Sequence, residues 1–391
     1  MIAPRGGTRK GWQEGHVLVA PDKFKGSLTA PQVAEHIVAG LRRSRPDLPV
    51  VSAPVADGGD GTVDAMVAAG FARLQTGVTG PVGKQVAASF AMRGETAVVE
   101  LAEASGLRLL PDRPSATTAL TATSAGTGEL MRTAAMRGAK HIVLGLGGSA
   151  CTDGGAGMLT ALGARLLDED EKPIPPGGAG LLRLARIDTR DLIRVSVTVA
   201  SDVDNPLLGS RGAAEVYAPQ KGAGPSEVAQ LQAGLAHLAE IVRRDLGVDA
   251  TDRPGAGAAG GVGFTALAVL GASMRPGIEI LLEQLDFDAL LAGARLVITG
   301  EGSLDRQTLH GKAPIGVARA AARAEVPVVA VSGQRQLTRD VLRRFGFEDA
   351  YALTDIEPDP EVCMAQAGPL LEELAVRIAD AHLEQSLSRN R

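Results

Sequence analysis

A glycine-rich stretch at residues 145–157, GLGGSACTDGGAG, combines bare backbone with hydroxyl and carboxylate side chains. It follows the apolar run HIVL, which predicts a strand, and precedes MLTALGARLL, which predicts a helix. Amides of a glycine turn at a helix start can bind an anion, because unpaired N–H groups and the helix dipole both favour negative charge. An ordinary turn explains the glycines equally well. The candidate phosphate-binding residues are Gly147, Gly148, Ser149, Thr152, Asp153 and Gly154.

The same stretch matches the loose dinucleotide-binding fingerprint through Gly145, Gly147 and Ala150, with Asp168 and Asp170 where a ribose-binding acid would follow. The fingerprint is weak, because TDRPGAGAAGG also matches it without following a strand. A nicotinamide-dependent dehydrogenase therefore stays open as an alternative. LHGKAP lacks the upstream glycine and the following Ser or Thr of a P-loop, which excludes that class of kinase.

Three further loops follow apolar runs and are rich in charge: PDKFKGS, ADGGDGT and GEGSLDRQT. Solvated lysines and capping aspartates would explain each loop taken alone. Loops that follow neighbouring parallel strands meet beyond the carboxyl ends of those strands, where ligands bind in open α/β sheets. We therefore expect one crevice that collects Asp22, Lys23, Lys25, Ser27, Asp57, Asp60, Glu301, Ser303 and Asp305.

Metal chemistry has one candidate segment, SDVDN, which follows the predicted strand VSVTVA. Asp202, Asp204 and Asn205 are oxygen ligands of the kind that Mg²⁺ prefers, although Asx-rich turns before proline are common. Asp153 in the glycine-rich stretch is a second candidate for the same metal. The two cysteines have no zinc spacing, and the six histidines show no triad signature.

The elements that must position these residues follow a βα rhythm at both ends of the chain. Two βα units near the N-terminus and three near the C-terminus would supply five strands of one doubly wound, flavodoxin-like parallel-sheet domain, at 16–72 and 293–391. From Arg73 to Leu110 the residues alternate, which indicates antiparallel hairpins. We therefore expect a second, mixed α/β domain to be inserted at 73–292, and residues 1–15 to form a disordered leader.

Composition narrows the function classes. The 391 residues suit two domains, and a net charge of −5 gives no support for nucleic-acid binding. No apolar run reaches the ~18 residues that a membrane span needs. Two cysteines exclude a disulfide framework and fit a reducing compartment. We expect a cytoplasmic protein, a monomer or homodimer, that acts on small molecules and binds neither nucleic acid nor membrane.

Seven stretches, in this order, resemble the type I glycerate kinase family of bacteria and cover about Val17 to Ala318. They are APDKFKGSLTA, PVADGGDGTVDA, GLGGSACTDGGAGML, SDVDNPLLGSRGA, APQKGA, PGAGAAGGVG and TGEGSLDRQTLHGKAPIGVA. Two positions depart from the family: Cys151 stands where threonine is more common, and Ser303 stands where many members have arginine, for which Arg306 is a candidate substitute.

The resemblance implies ATP-dependent phosphorylation of D-glycerate, usually at the 2-hydroxyl, by a two-domain protein with a flavodoxin-like domain. We expect Lys25, Asp57, Glu301 and Asp305 to be catalytic, and ATP phosphates with Mg²⁺ to lie on the glycine-rich loop. Asp202 or Asp153 would bind the metal. The alternatives are a kinase that forms 3-phosphoglycerate, the dehydrogenase, and a non-catalytic metabolite sensor. Further substrate contacts are expected from Asp22, Ser27, Asp60, Gln307 and Lys312.

Overall fold

The computed structural model describes residues 15–383, so the predicted leader lies outside the described residues except for Gly15. The described chain divides into two compact units. Unit 1 comprises residues 15–57, 64–70 and 278–383, and unit 2 comprises residues 58–63 and 71–277. The division differs from the predicted domain bounds at three places: residues 58–63 and 71–72 belong to unit 2, and residues 278–292 belong to unit 1.

The strands are numbered in chain order: β1 His16–Pro21, β2 Val50–Ser52, β3 Ala72–Thr79, β4 Gln85–Arg93, β5 Thr96–Glu100, β6 His141–Gly145, β7 Arg165–Leu167, β8 Arg186–Asp188, β9 Ser196–Ala200, β10 Ser273–Arg275, β11 Ala294–Leu304, β12 Val328–Arg335 and β13 Asp349–Ala352.

The α-helices are α1 Ala30–Ser44, α2 Thr62–Ala68, α3 Leu101–Ser105, α4 Ala116–Thr121, α5 Ala125–Met136, α6 Ala156–Ala161, α7 Ala213–Tyr217, α8 Pro225–Leu246, α9 Ala258–Ala268, α10 Gly277–Gln284, α11 Phe287–Leu291, α12 Ala313–Arg323, α13 Arg339–Arg344, α14 Pro360–Ala365 and α15 Ala367–Leu383. Short 3₁₀ turns occupy Leu107–Leu109, Gly178–Arg183, Pro219–Lys221, Thr308–His310 and Leu353–Asp355.

Unit 1 is built on a five-stranded sheet in the order β13-β12-β11-β1-β2, and all four strand pairs are parallel. Counting these five strands along the chain, the order is 2-1-3-4-5, which is the flavodoxin-like order. The sequence prediction of a doubly wound parallel sheet is therefore confirmed. This order places β1 between β2 and β11, so the loops that follow these three strands leave from one edge of the sheet.

Helix α1 shows how the sequence specifies the packing of unit 1. Thr29 and Gln32 form a capping box, which their spacing in the sequence favours, and Val33, Ile37 and Leu41 are fully buried on one face. Gly40 lies where α1 meets α15, and a Cβ atom there would collide with the carbonyl oxygen of Glu372. The helix pair thus depends on a close backbone approach that only glycine permits.

Unit 2 is built on a six-stranded mixed sheet in the order β10-β9-β6-β5-β4-β3. The β3–β4 and β4–β5 pairs are antiparallel, as the alternating pattern predicted. The β5–β6, β6–β9 and β9–β10 pairs are parallel. The carboxyl ends of β5, β6 and β9 therefore share one edge, and the glycine-rich loop begins there.

Three local predictions were wrong. The alternating region does not continue to Leu110, because α3 begins at Leu101. MLTALGARLL is not one helix: α6 ends at Ala161, and Gly163, at φ +107°, turns the chain into β7. GEGS is not a turn, because β11 continues through Leu304 in parallel register with β12.

The glycines of β11 serve packing rather than a turn. A Cβ atom on Gly300 would collide with the carbonyl oxygen of Val331 in β12. A Cβ atom on Gly302 would lie 3.1 Å from the backbone nitrogen of Lys25. Glu301 and Ser303 are consequently held on a strand beside the Lys25 turn.

Between residues 15 and 383, no helix is long and apolar enough to cross a membrane.

We predict that Gly40→Ala destabilises the protein by about 1–2 kcal/mol, because overpacking against α15 outweighs the ~0.5–1 kcal/mol by which alanine favours a helix interior. Denaturant unfolding would measure the change. Gly77→Ala is the matched control, since a Cβ atom there makes an ordinary contact at 3.6 Å with Gln85 Oε1. A Gly40→Ala protein as stable as the parent would contradict this packing argument.

Candidate active site

The carboxyl edge of the unit 1 sheet gathers three carboxylates. Asp22 follows β1, Asp57 follows β2, and Glu301 lies near the end of β11. The chain after β2 continues to track β1, since Val55 N donates to Pro21 O over 2.9 Å. Asp22 N donates to Gly300 O over 2.8 Å, which fixes the start of its loop against β11. The sheet thus brings residues from both ends of the chain together, as predicted.

Asp22 is the most deeply placed of these acids, with 6% of its surface exposed. Its pKa is raised to about 7, chiefly by burial and also by the nearby carboxylates of Asp57 and Glu301. The Lys23 ammonium and a 2.7 Å hydrogen bond from Lys23 N to Asp22 Oδ1 act in the opposite direction. Asp22 therefore exchanges a proton near neutral pH.

Glu301 and Lys312 form a partly buried ion pair, with 3.2 Å between Oε2 and Nζ. Burial raises the pKa of Glu301, while the Thr308 hydroxyl and the Lys312 ammonium oppose the shift. Glu301 Oε1 and Ser303 Oγ are buried and have no hydrogen-bond partner within residues 15–383. Two buried oxygen atoms on one strand are thus available to a ligand.

The remaining predicted residues of unit 1 lie in two tight turns. Gly26, at φ +86°, lets the chain reverse after β1, and Ser27 Oγ donates to Phe24 O over 3.1 Å. Asp305 Oδ1 accepts from Gln307 N over 2.7 Å. Ser27 and Asp305 thus stabilise turns. Lys25 is exposed and forms no hydrogen bond or ion pair within the described chain, so its ammonium is available to an anion.

In unit 2 the glycine-rich loop packs backbone to backbone against residues 58–59. A Cβ atom on Gly145 would lie 2.5 Å from Gly58 O, and one on Gly147 would lie 2.6 Å from Gly59 Cα. Gly58, at φ +88°, in turn approaches Ala200 at the end of β9. Close backbone packing requires glycine at these positions. Gly145 and Gly147 are therefore explained without a dinucleotide-binding fingerprint.

The same packing leaves part of the loop able to bind an anion. Gly148 adopts the left-handed conformation at φ +71°. The N–H groups of Gly147, Gly148 and Ser149 donate to no acceptor among the residues that the structure describes. Successive unpaired amides around a left-handed residue make a concave anion site. Thr152 Oγ1 is buried and, within residues 15–383, has no partner.

Asp153 serves the structure rather than a metal. It is 0% exposed. Its Oδ2 accepts from Ser124 N over 2.8 Å and from Ser124 Oγ over 2.9 Å, and its Oδ1 accepts from Gly155 N over 3.0 Å. These bonds join the starts of α5 and α6. Gly154 faces the core of unit 2, where a Cβ atom would collide with Leu238. The geometry therefore argues against both residues as ligand contacts.

Sequence reasoning missed Lys221, which lies in APQKGA and is 1% exposed. Its Nζ donates to Ser149 Oγ over 2.8 Å and to Cys151 O over 2.5 Å, so it supports the glycine-rich loop. Burial lowers the pKa of Lys221 to about 8, while the neighbouring Cys151 and Asp153 favour the charged form. A lysine beside a glycine indicates a solvated turn, so the sequence gives no sign of this burial.

Glu100, at the end of β5, was also missed. Its carboxylate accepts from Gly61 N over 2.9 Å and from Val63 N over 3.1 Å, which binds residues 58–63 to the sheet of unit 2. Burial raises its pKa to about 7. Asp60 lies in this segment and pairs with Arg108 over 2.8 Å, so Asp60 belongs to unit 2 rather than to the acids of unit 1.

Asp202 and Asp204 are both exposed after β9. Asp204 pairs with Arg211, and Asn205 accepts a hydrogen bond from the Tyr217 hydroxyl, so Asp202 stays the predicted metal ligand of this segment. Between residues 15 and 383 there is no group of three or more His, Cys, Asp or Glu side chains that could hold a metal. One exposed carboxylate fits Mg²⁺ only in the mode where water and substrate phosphates supply most ligands.

We predict that Asp22→Asn stabilises the protein at pH 8. The folded pKa of Asp22 exceeds its unfolded value, so ionisation costs the folded state free energy that accumulates between about pH 4 and pH 7, reaching roughly 1–4 kcal/mol. The melting temperature should rise by several degrees at pH 8 and by little at pH 4.5. Asp47→Asn, at an exposed position of unit 1, is the control. An equal effect at both pH values would contradict the burial argument.

Comparison with known proteins identifies the family. The model of the glycerate kinase family matches residues 17–383. The glycerate kinase of Bacillus subtilis (strain 168) is 43% identical over 371 residues, which cover 93% of this chain and 96% of that protein. The glycerate 2-kinase of Escherichia coli (strain K12) is 46% identical over 332 residues, covering 83% and 86%.

A crystal structure from Salmonella typhimurium LT2, of a protein provisionally named glycerate kinase 2, superposes with a TM-score of 0.82. It is 42% identical and covers 94% of this chain and 97% of that one. The match spans both units, and the fold is shared. The chain therefore belongs to the glycerate kinase family, whose members are enzymes.

Proposed function

We propose that the protein transfers the γ-phosphoryl group of ATP to the 2-hydroxyl of D-glycerate and forms 2-phosphoglycerate. The observation that carries the proposal is the cluster of Asp22, Asp57 and Glu301 at the carboxyl edge of the unit 1 sheet, beside Lys312. A small hydroxy acid has a carboxylate that needs a cation and hydroxyls that need acceptors, and this edge supplies both.

Unit 1 would bind glycerate through side chains that range from exposed to buried. The exposed Lys25 ammonium pairs with the substrate carboxylate in a charge-assisted contact. Asp57 is half-buried beside Asp22 and accepts a hydrogen bond from the attacking hydroxyl. Glu301 Oε1 and Ser303 Oγ, which lack protein partners in the described chain, accept or donate to the second hydroxyl. Ser27, Asp305 and Gln307 shape the turns that carry these groups.

Unit 2 would bind the nucleotide. The amides of Gly147, Gly148 and Ser149 donate to phosphate oxygens, as unpaired N–H groups do at other phosphate sites. The exposed Asp202 carboxylate would hold Mg²⁺, whose charge offsets that of the transferring phosphoryl group. Asp153 and Gly154, which serve the packing of unit 2, have no place in this proposal.

Phosphoryl transfer asks little covalent chemistry of the protein, because alignment and charge neutralisation lower most of the barrier. Asp57 or Asp305 takes the proton from the attacking hydroxyl. Asp22 holds a proton near neutral pH and limits the repulsion among the acids while substrate is bound. A protein that uses ATP and glycerate is expected to act in the cytoplasm.

The choice of the 2-hydroxyl rests on the name of the Escherichia coli relative, a glycerate 2-kinase. Incubation with ATP, Mg²⁺ and D-glycerate, followed by phosphorus NMR, should give 2-phosphoglycerate and ADP. Formation of 3-phosphoglycerate would overturn the position of transfer. Glycerate binding without turnover would indicate the sensor, and reduction of a nicotinamide cofactor would indicate the dehydrogenase.

Substitution of Asp57 and Asp305, which are both half-buried, should separate an effect on catalysis from an effect on folding. We predict that Asp57→Asn and Asp305→Asn each lower kcat by about 10²-fold or more. The acid that takes the proton contributes 10²–10⁴-fold as a positioned base, and loss of the other disturbs the alignment of the substrate. Circular dichroism should show an intact fold. Asp288→Asn, whose side chain is 85% exposed elsewhere in unit 1, is the control. Near-normal kcat in both variants would remove these acids from the reaction.

A further inference from the structure

Lys221 is buried, and its ammonium contacts no carboxylate among residues 15–383. Its ammonium donates to a hydroxyl, Ser149 Oγ, and to a carbonyl, Cys151 O. Both acceptors are neutral, and among residues 15–383 no ion pair involves Lys221. Burying a charge without an opposite charge in contact destabilises the folded state by several kcal/mol. A lysine that only held the loop in place would therefore destabilise the protein without a compensating gain.

The nearest acid, Asp153, makes no direct contact with this ammonium among the described residues. Asp153 favours the protonated lysine electrostatically, and its carboxylate oxygens accept hydrogen bonds from the Ser124 hydroxyl and from the amides of Ser124, Gly155 and Gly157. The thiol of Cys151 stays protonated, because burial raises its pKa. Unit 2 therefore holds, next to Ser149 and Cys151, a buried ammonium that no carboxylate of the described residues contacts directly.

The amides above this charge point to its counter-ion. Gly147, Gly148 and Ser149 present unpaired N–H groups next to the hydroxyl that Lys221 contacts. Unpaired amides and a buried ammonium favour the same sign of ligand charge. An anion on residues 147–149 would satisfy both, whereas a neutral ligand would satisfy neither.

We infer that Lys221 is a positioning residue for a polyphosphate: it holds Ser149 and Cys151 in place and supplies the buried charge that the phosphates of the nucleotide neutralise. The inference rests on the proposed nucleotide site in unit 2 and adds to it the residue that makes binding depend on phosphate charge. Lys221 acts through Ser149 and the loop, and it does not contact the reacting atoms.

The test uses ligands that differ in charge. Titration calorimetry with AMP, ADP, ATP and inorganic triphosphate would compare the full-length protein with Lys221→Met, which keeps the length of the side chain and removes its charge. We expect ATP and triphosphate to bind Lys221→Met about 10- to 100-fold more weakly, the range for hydrogen bonds to charged groups. The loss should decrease from ATP to ADP to AMP, while the affinity for D-glycerate stays within about twofold.

A purely structural lysine would give a different result, because a distorted loop would weaken AMP, ADP and ATP by the same factor. That outcome, or unchanged ATP affinity in folded Lys221→Met, overturns the inference. Lys172→Met, at a lysine that is 73% exposed in unit 2, is the control. If Lys221→Met does not fold, Lys221→Arg decides: it keeps the charge, so it should keep the rise in affinity from AMP to ATP, and loss of that rise overturns the inference.

The two proposals fail in distinguishable ways. A parent protein that binds triphosphate but no nucleotide would contradict the proposed use of ATP and leave the role of Lys221 intact. A parent protein that binds ATP, together with a Lys221→Met variant that binds it equally well, would contradict only the role of Lys221.

Discussion

The carboxyl edge of each of the two β-sheets holds ionisable side chains out of water, and the free energy that this costs is the constraint on which the account depends. Asp22 and Glu301 lie buried at one edge, and Glu100 and Lys221 lie buried beside the other. Desolvation opposes the charged form of each of these groups. A fold that only needed packing would place apolar residues there. Glu100 holds residues 58–63 through hydrogen bonds, and we attribute the presence of the other three groups to the ligands proposed above.

The glycines at each sheet edge allow close packing of the backbone, whereas their abundance in the sequence indicates turns. Gly145, Gly147 and Gly58 allow chains to approach closely, and Gly300 does the same between neighbouring strands. This packing sets the path of the loop after β6, and Gly148 then turns it so that three amides have no acceptor among the described residues. These contacts would preorganise the proposed anion site, so the protein would not have to order a flexible loop on binding.

The features that could be predicted from the sequence are those that depend on periodicity and on the order of the strands. The capping box at Thr29, the hairpins after Arg73 and the flavodoxin-like order follow from local patterns and from the resemblance to the family. The sequence could not predict the environment of single polar residues. From the sequence, Asp153 and Lys221 would both be expected at the surface. Each is instead buried against a segment that is distant in sequence: Asp153 against Ser124, and Lys221 against the glycine-rich loop. The end of β11 was missed because Gly300 and Gly302 indicate a turn until their neighbours in space are known.

The most direct test of the account is a crystal structure with D-glycerate, Mg²⁺ and a non-hydrolysable ATP analogue. The account predicts phosphate oxygens about 3 Å from the amide nitrogens of Gly147, Gly148 and Ser149. It also predicts glycerate against Asp22, Asp57 and Glu301, with its carboxylate on a lysine of unit 1. Phosphates bound elsewhere, with these three amides facing only solvent, would contradict the assignment of the two sheet edges.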